Sequence, residues 1–86
     1  VTMPNPSPGN VLIRYRLTKF SAVTVDLLDA SGRIVRRLSA APSPAGEYSL
    51  AWDGRDEAGR GVPAGMYFAL TKSLTGVTLR KVVIAR

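Results

Sequence analysis

The sequence predicts an all-β domain, built as an immunoglobulin-like antiparallel β-sandwich of about seven strands. Three observations lead there. Apolar residues alternate with polar ones in short runs, the period of a half-buried strand. Clusters of Gly, Pro, Asp and Ser interrupt these runs roughly every ten residues, and no run keeps the 3.6-residue period of a helix. The chain has 86 residues, enough for one domain around one modest core. A small Greek-key barrel is the second arrangement compatible with this pattern.

Residues 1–10 hold three of the six prolines. Proline fixes φ and donates no hydrogen bond, so this stretch reads as a lead-in or linker, with the sandwich occupying residues 11–86. Val11, Ile13, Tyr15 and Leu17 share one parity and define the first strand. Ser21 to Asp29 repeats the alternation through Val23, Val25 and Leu27. Asp29-Ala30-Ser31-Gly32 is a hairpin connection: the Asp carboxylate accepts downstream N–H groups, and Gly32 supplies positive φ. In the third run, Arg33 to Ser39, Ile34 and Leu38 fall on one face and Val35 on the other, a pattern that a bulge or a shift near Arg36 would reconcile and that the sequence does not decide. Ala40 to Gly46 reads as a loop. Glu47 to Trp52 is the fourth strand, Asp53 to Gly61 a glycine-rich turn region, Val62 to Lys72 the next strand, and Val77 to Ala85 the last.

The expected interior is Val23, Val25, Leu27 and Leu38, with Tyr48, Leu50 and Trp52, and finally Tyr67 and Ala69. Trp52 fills the centre, and an exposed Trp52 would instead favour carbohydrate binding. In the last strand Val82, Val83 and Ile84 are apolar on both faces. Either this strand is central and covered on both sides, or its outer face meets a partner.

Composition closes off most chemistry. There is no cysteine and no histidine, which removes disulfides, thiolate nucleophiles, Cys/His zinc sites and the usual general base near neutral pH. An enzyme is not expected. Twelve Lys and Arg face six Asp and Glu, for a net charge of +6. These cations are spread along the chain without interleaved aromatics, so nucleic acid is not the expected partner, and no apolar run is long enough to span a membrane as a helix. Asp53, Asp56 and Glu57 form the one acidic cluster. Turn chemistry accounts for it, through Asp53 and Asp56 accepting backbone N–H bonds and Gly54, Gly59 and Gly61 taking unusual dihedrals; calcium is the alternative, and no other cofactor is expected.

Five runs together resemble a known module: Asn5-Pro6, the hairpin from Asp29 to Leu38, Ala45-Gly46-Glu47-Tyr48, the Trp-Asp-Gly-x-Asp-x-x-Gly run from Trp52 to Gly59, and the Pro-x-Gly-x-Tyr run from Pro63 to Tyr67. The chain is similar to the immunoglobulin-like domain of the flagellar hook-capping family, and to the C-terminal sorting domain of type IX secretion substrates. The resemblance implies a non-catalytic module of a bacterial secreted or cell-surface protein, in an extracellular or surface location. Its sorting branch implies recognition by an outer-membrane translocon through Pro63, Gly65, Tyr67, Lys81 and Arg86. The alternatives are a purely structural module against a preceding domain, and a self-associating filament subunit that adds its N-terminal segment to the open edge of a like subunit.

Overall fold

The structure, a computed structural model, describes residues 10–85. The lead-in, apart from Asn10, and Arg86 lie outside the described residues. Six strands form among them: β1 (Val11–Leu17), β2 (Ser21–Leu28), β3 (Ile34–Ser43), β4 (Gly46–Trp52), β5 (Gly65–Ser73) and β6 (Gly76–Ile84). They make two antiparallel sheets, a pair β1-β4 and a four-stranded sheet in the order β3-β2-β5-β6. The alternation in the sequence chooses the buried face of each strand. Val11, Ile13 and Leu17 of β1 point inward against Val23, Val25 and Leu27 of β2, and Tyr67 and Ala69 continue that layer on β5. Trp52, at the end of β4, is fully buried and sets its ring edge-on against Tyr67, with centroids 5.7 Å apart.

Four expectations need correcting. Leu38, Tyr48 and Leu50 are only half-buried at the margin of the core, because β3 is a sheet edge and the two-stranded sheet is too narrow to cover its own flanks. β3 runs on through the expected loop to Ser43, carrying Pro42 on the edge where its missing N–H costs no ladder bond. Val62 starts no strand; it is a loop residue inserted into the core, its N–H bonded to the Gly54 carbonyl at 2.8 Å, and β5 begins at Gly65. Among the described residues β6 is a sheet edge and not a covered central strand: Val82 and Ile84 are buried, while Val83 faces the other side.

The bulge in the third strand is present and has a clear effect. Leu27 pairs with Arg36 and Leu28 with Ile34, so Val35 is the extra residue. It packs against the core with Leu38, and Ile34 is turned to the outer face, the reverse of simple parity. A second irregularity sets Ala41 and Pro42 opposite the single residue Ala22.

Two local devices recur in the chain, each used twice. In Asp29-x-x-Gly32-Arg33, the Asp29 Oδ1 accepts the N–H groups of Ser31 (2.9 Å) and Arg33 (3.0 Å), and the Gly32 N–H bonds to the Asp29 carbonyl. Asp56-x-x-Gly59-Arg60 repeats this arrangement through Ala58 (2.9 Å) and Arg60 (3.0 Å). Gly32 and Gly59 have φ of +89° and +83°, a region costly for any residue with a Cβ, whereas Gly61, expected to share such a dihedral, has no positive φ and bridges Arg55 in extended backbone. The second device is Pro-Ala-Gly-x-Tyr. The Tyr48 hydroxyl donates to the Pro44 carbonyl at 2.7 Å as β4 begins, and the Tyr67 hydroxyl to the Pro63 carbonyl at 2.6 Å as β5 begins.

The registers also fix where the outermost strands end. Val11, at the start of β1, pairs with Trp52, and Ile84, at the end of β6, pairs with Gly65.

Burial separates two leucines that the sequence placed together in the core. Leu27→Ala should lower unfolding free energy by about 2–5 kcal/mol, the range for a fully buried leucine. Leu38→Ala should cost clearly less, and urea denaturation of both variants checks the order.

Candidate interaction surfaces

The loop from Asp53 to Ala64 is laid along the free edge of β3. The Trp52 indole N–H donates to the Arg55 carbonyl at 3.0 Å, which Arg36 also bonds at 3.1 Å. Arg36 reaches the Asp53 carboxylate at 3.2 Å, while Asp53 Oδ1 accepts the Arg55 N–H. Farther along, the Glu57 N–H bonds the Val35 carbonyl at 3.1 Å and the Glu57 carboxylate accepts the Arg37 N–H at 2.7 Å. These contacts use ladder positions that an open edge would offer to another strand.

The same contacts describe how the acidic cluster is bonded. Asp53, Asp56 and Glu57 each accept N–H donors, and among the described residues no three Asp, Glu, His or Cys side chains lie together as a metal set. Trp52 is buried and offers no ring to a sugar. Pro63, Gly65 and Tyr67 are brought together at the entry to β5, with the tyrosine ring in the core. Lys81 stands apart, opposite Phe68 on the outer face of the four-stranded sheet, and Arg86 is outside the described residues.

That outer face carries several exposed apolar side chains, and its composition follows from the registers. One row across all four strands reads Ile34, Leu28, Phe68, Lys81. The next reads Arg37, Asp26, Leu70, Leu79, and the third Ser39, Thr24, Lys72, Val77. Met66 and Val83 pair beyond the first row. Val77 and Leu79 are 67% and 59% exposed, and Ile34 and Met66 nearly half exposed. Sequence reasoning found only one edge of this patch, at Val82 to Ile84. Leu28 lies far in sequence from Phe68 and Leu70, and only pairing shows that they are neighbours.

Asp26 is the polar member that sequence reasoning missed. It sits in the middle of this face yet is 2% exposed. Arg37, directly across on β3, grips its carboxylate with Nε at 2.7 Å and Nη2 at 3.3 Å, and Lys72 approaches at 3.3 Å. Hydrogen bonds from Arg37, and then from Lys72, hold the Asp26 carboxyl below its ordinary range, against the upward push of its burial. The one sequence signal was an acid flanked by Val25 and Leu27 in an apolar strand.

The profile of the FlgD Ig-like domain matches residues 7–76. Among solved structures, the crystal structure of FlgD from Xanthomonas campestris, addressed to the hook capping essential for flagellar assembly, is 32% identical with a TM-score of 0.72, covering 90% of this chain and 56% of that one. FlgD from P. aeruginosa is 26% identical with a TM-score of 0.72, covering 84% of this chain and 61% of its own. The chain therefore spans less than two thirds of either relative. No curated protein matches. These matches fall on the hook-capping side of the resemblance and lend no support to its sorting side.

The Asp26 site sets a pH dependence. A carboxyl whose folded pKa is depressed stabilises the fold above its unfolded value, near 3.9, and loses that contribution as pH falls through the folded value. The melting temperature should hold from about pH 7 to pH 5 and drop below about pH 4. Asp29 and Asp56 are lowered as well, by their turn hydrogen bonds, so Asp26→Asn should flatten the acid limb only in part. Arg37→Ala should lower the melting temperature at pH 7 and leave it nearly unchanged below about pH 4, since it strips the buried carboxylate of its closest partner.

Proposed function

The chain belongs to the FlgD Ig-like domain family, and on that premise we propose that it works as a rigid module of an exported hook-capping protein, presenting a fixed surface to the subunits of the hook. It is a non-catalytic structural module. The observation that carries the reading is the family match over residues 7–76, joined to the 32% identity with the Xanthomonas campestris protein over 90% of the chain. Rigidity suits such a role. The two Asp-x-x-Gly turns, the two Pro-Ala-Gly-x-Tyr entries and the edge loop are each closed by hydrogen bonds that do not depend on a partner. The location that goes with it is extracellular, in the flagellar hook.

The sorting branch of the resemblance has a weaker footing. Pro63 and Gly65 form the turn into β5, and Tyr67 lies in the core, so the fold itself accounts for these three residues without a reader. The filament reading rests on the lead-in, which is outside the described residues.

A domain exchange tests the proposal. Residues 1–86 replace the matching part of the Xanthomonas campestris protein in cells lacking their own copy, and hooks are counted by electron microscopy. Hooks and swimming should return with the chimera and stay absent when the domain is deleted. A folded, exported chimera that builds no hooks, or a deletion that still builds them, overturns the reading.

A further inference from the structure

We infer that the outer face of the four-stranded sheet is a docking surface for a protein segment that is apolar along its centre and acidic at its margin. The apolar half of the argument is the arrangement itself. Ile34, Leu28 and Phe68 are consecutive across three strands, Leu70 and Leu79 are adjacent in the next row, and Val77 follows Leu79 on β6. Directly paired side chains in a sheet stand about 5 Å apart, so these residues form one continuous patch. The core does not need them, because the inward faces of β2, β5 and β6 already supply it through Val25, Leu27, Ala69 and Val82. Apolar surface gathered on one face and left over by the core is the mark of a contact site.

Charge selects the occupant. The cations on this face are Arg37, Lys72 and Lys81, all exposed. The acids that reach it are already engaged: Asp26 is buried beneath Arg37 and Lys72, and Glu57, at the β3 margin, accepts the Arg37 backbone N–H. The same pairs engage Arg37 and Lys72, so three cations against Asp26 and the marginal Glu57 leave the face with a net positive excess, and Lys81 is the cation there that no acid among the described residues engages. A second copy of this chain, itself at +6, would set Arg37, Lys72 and Lys81 against their own kind. An acidic margin on the partner complements them, steering association and excluding like-charged surfaces. The mode is contact with the face and not strand addition, since the patch lies on the side chains and not on the backbone edge.

This inference does not depend on the hook-capping reading, and its test uses the isolated chain with synthetic probes. Isotope-labelled protein is titrated with three twelve-residue peptides: alternating valine and glutamate, alternating valine and lysine, and alternating serine and glutamate. The valine–glutamate peptide should give saturable methyl shifts at Leu28, Leu70, Leu79 and Val83, with the other two at least tenfold weaker. The double variant Val77→Ser, Leu79→Ser should weaken that binding tenfold or more with its melting temperature unchanged, both residues being mostly exposed. Equal binding of the serine–glutamate peptide would reduce the site to charge alone, and equal binding of the valine–lysine peptide to apolarity alone; either overturns it. So do shifts centred on β1 and β4, no saturable shift with any peptide, or sedimentation of the chain as a dimer that the double variant abolishes.

Discussion

The Trp52 indole ties together three parts of the molecule that share no backbone ladder. Its ring packs at the end of the two-stranded sheet against Tyr67 of the other sheet, and its N–H bonds the Arg55 carbonyl in the loop that follows. Arg36 of β3 holds the same carbonyl. With no disulfide and no histidine or cysteine for a structural metal site, apolar packing ties the sheets, and a large aromatic with one satisfied polar atom suits this place in it. The position of the loop follows from it. Once Arg55 is held, Val62 is drawn into the core and Glu57 is set against the backbone of β3.

The polar groups follow a similar economy. Asp26 occupies a spot on an apolar face where an unpaired charge would be costly, and two cations from neighbouring strands offset the burial. Such a pair adds little net stability over a well-packed apolar substitute. Its larger effect is on register: Arg37 meets Asp26 only when Asp26 lies opposite it, so a slip of β3 against β2 would leave the carboxylate buried without its partner. β3 needs such a constraint, being a bulged edge strand with a proline near its end.

Most of the fold could be read from the chain because alternation is a direct record of burial. The inward sets of β1 and β2 follow from parity alone, and the Asp29 turn from its residue types. What escaped has a physical cause in each case. Bulges reset parity, so Ile34 and Val35 exchanged faces. Edge position cannot be inferred from one strand, so the apolar end of β6 read equally well as central. The recurrence of Asp-x-x-Gly-Arg and Pro-Ala-Gly-x-Tyr has unequal spacing, 15 residues between the first Asp and Pro and 7 between the second, and a search for a fixed period passes over it. The outer apolar face depends on pairing between strands far apart in sequence, and alternation within one strand carries no trace of it.

The registers at the two outermost strands bear on how the domain would respond to tension. Val11 lies opposite Trp52, and Ile84 opposite Gly65, and the contact between Trp52 and Tyr67 puts both pairs at one end of the sandwich. A pull applied through β1 and β6 would therefore peel each strand from its neighbour one hydrogen-bonded pair at a time, and would not shear a whole ladder at once. Peeling needs little force. A domain tethered in this way is suited to stand out from the line of pull, as a side branch bearing its outer sheet face, and poorly suited to be a link within that line.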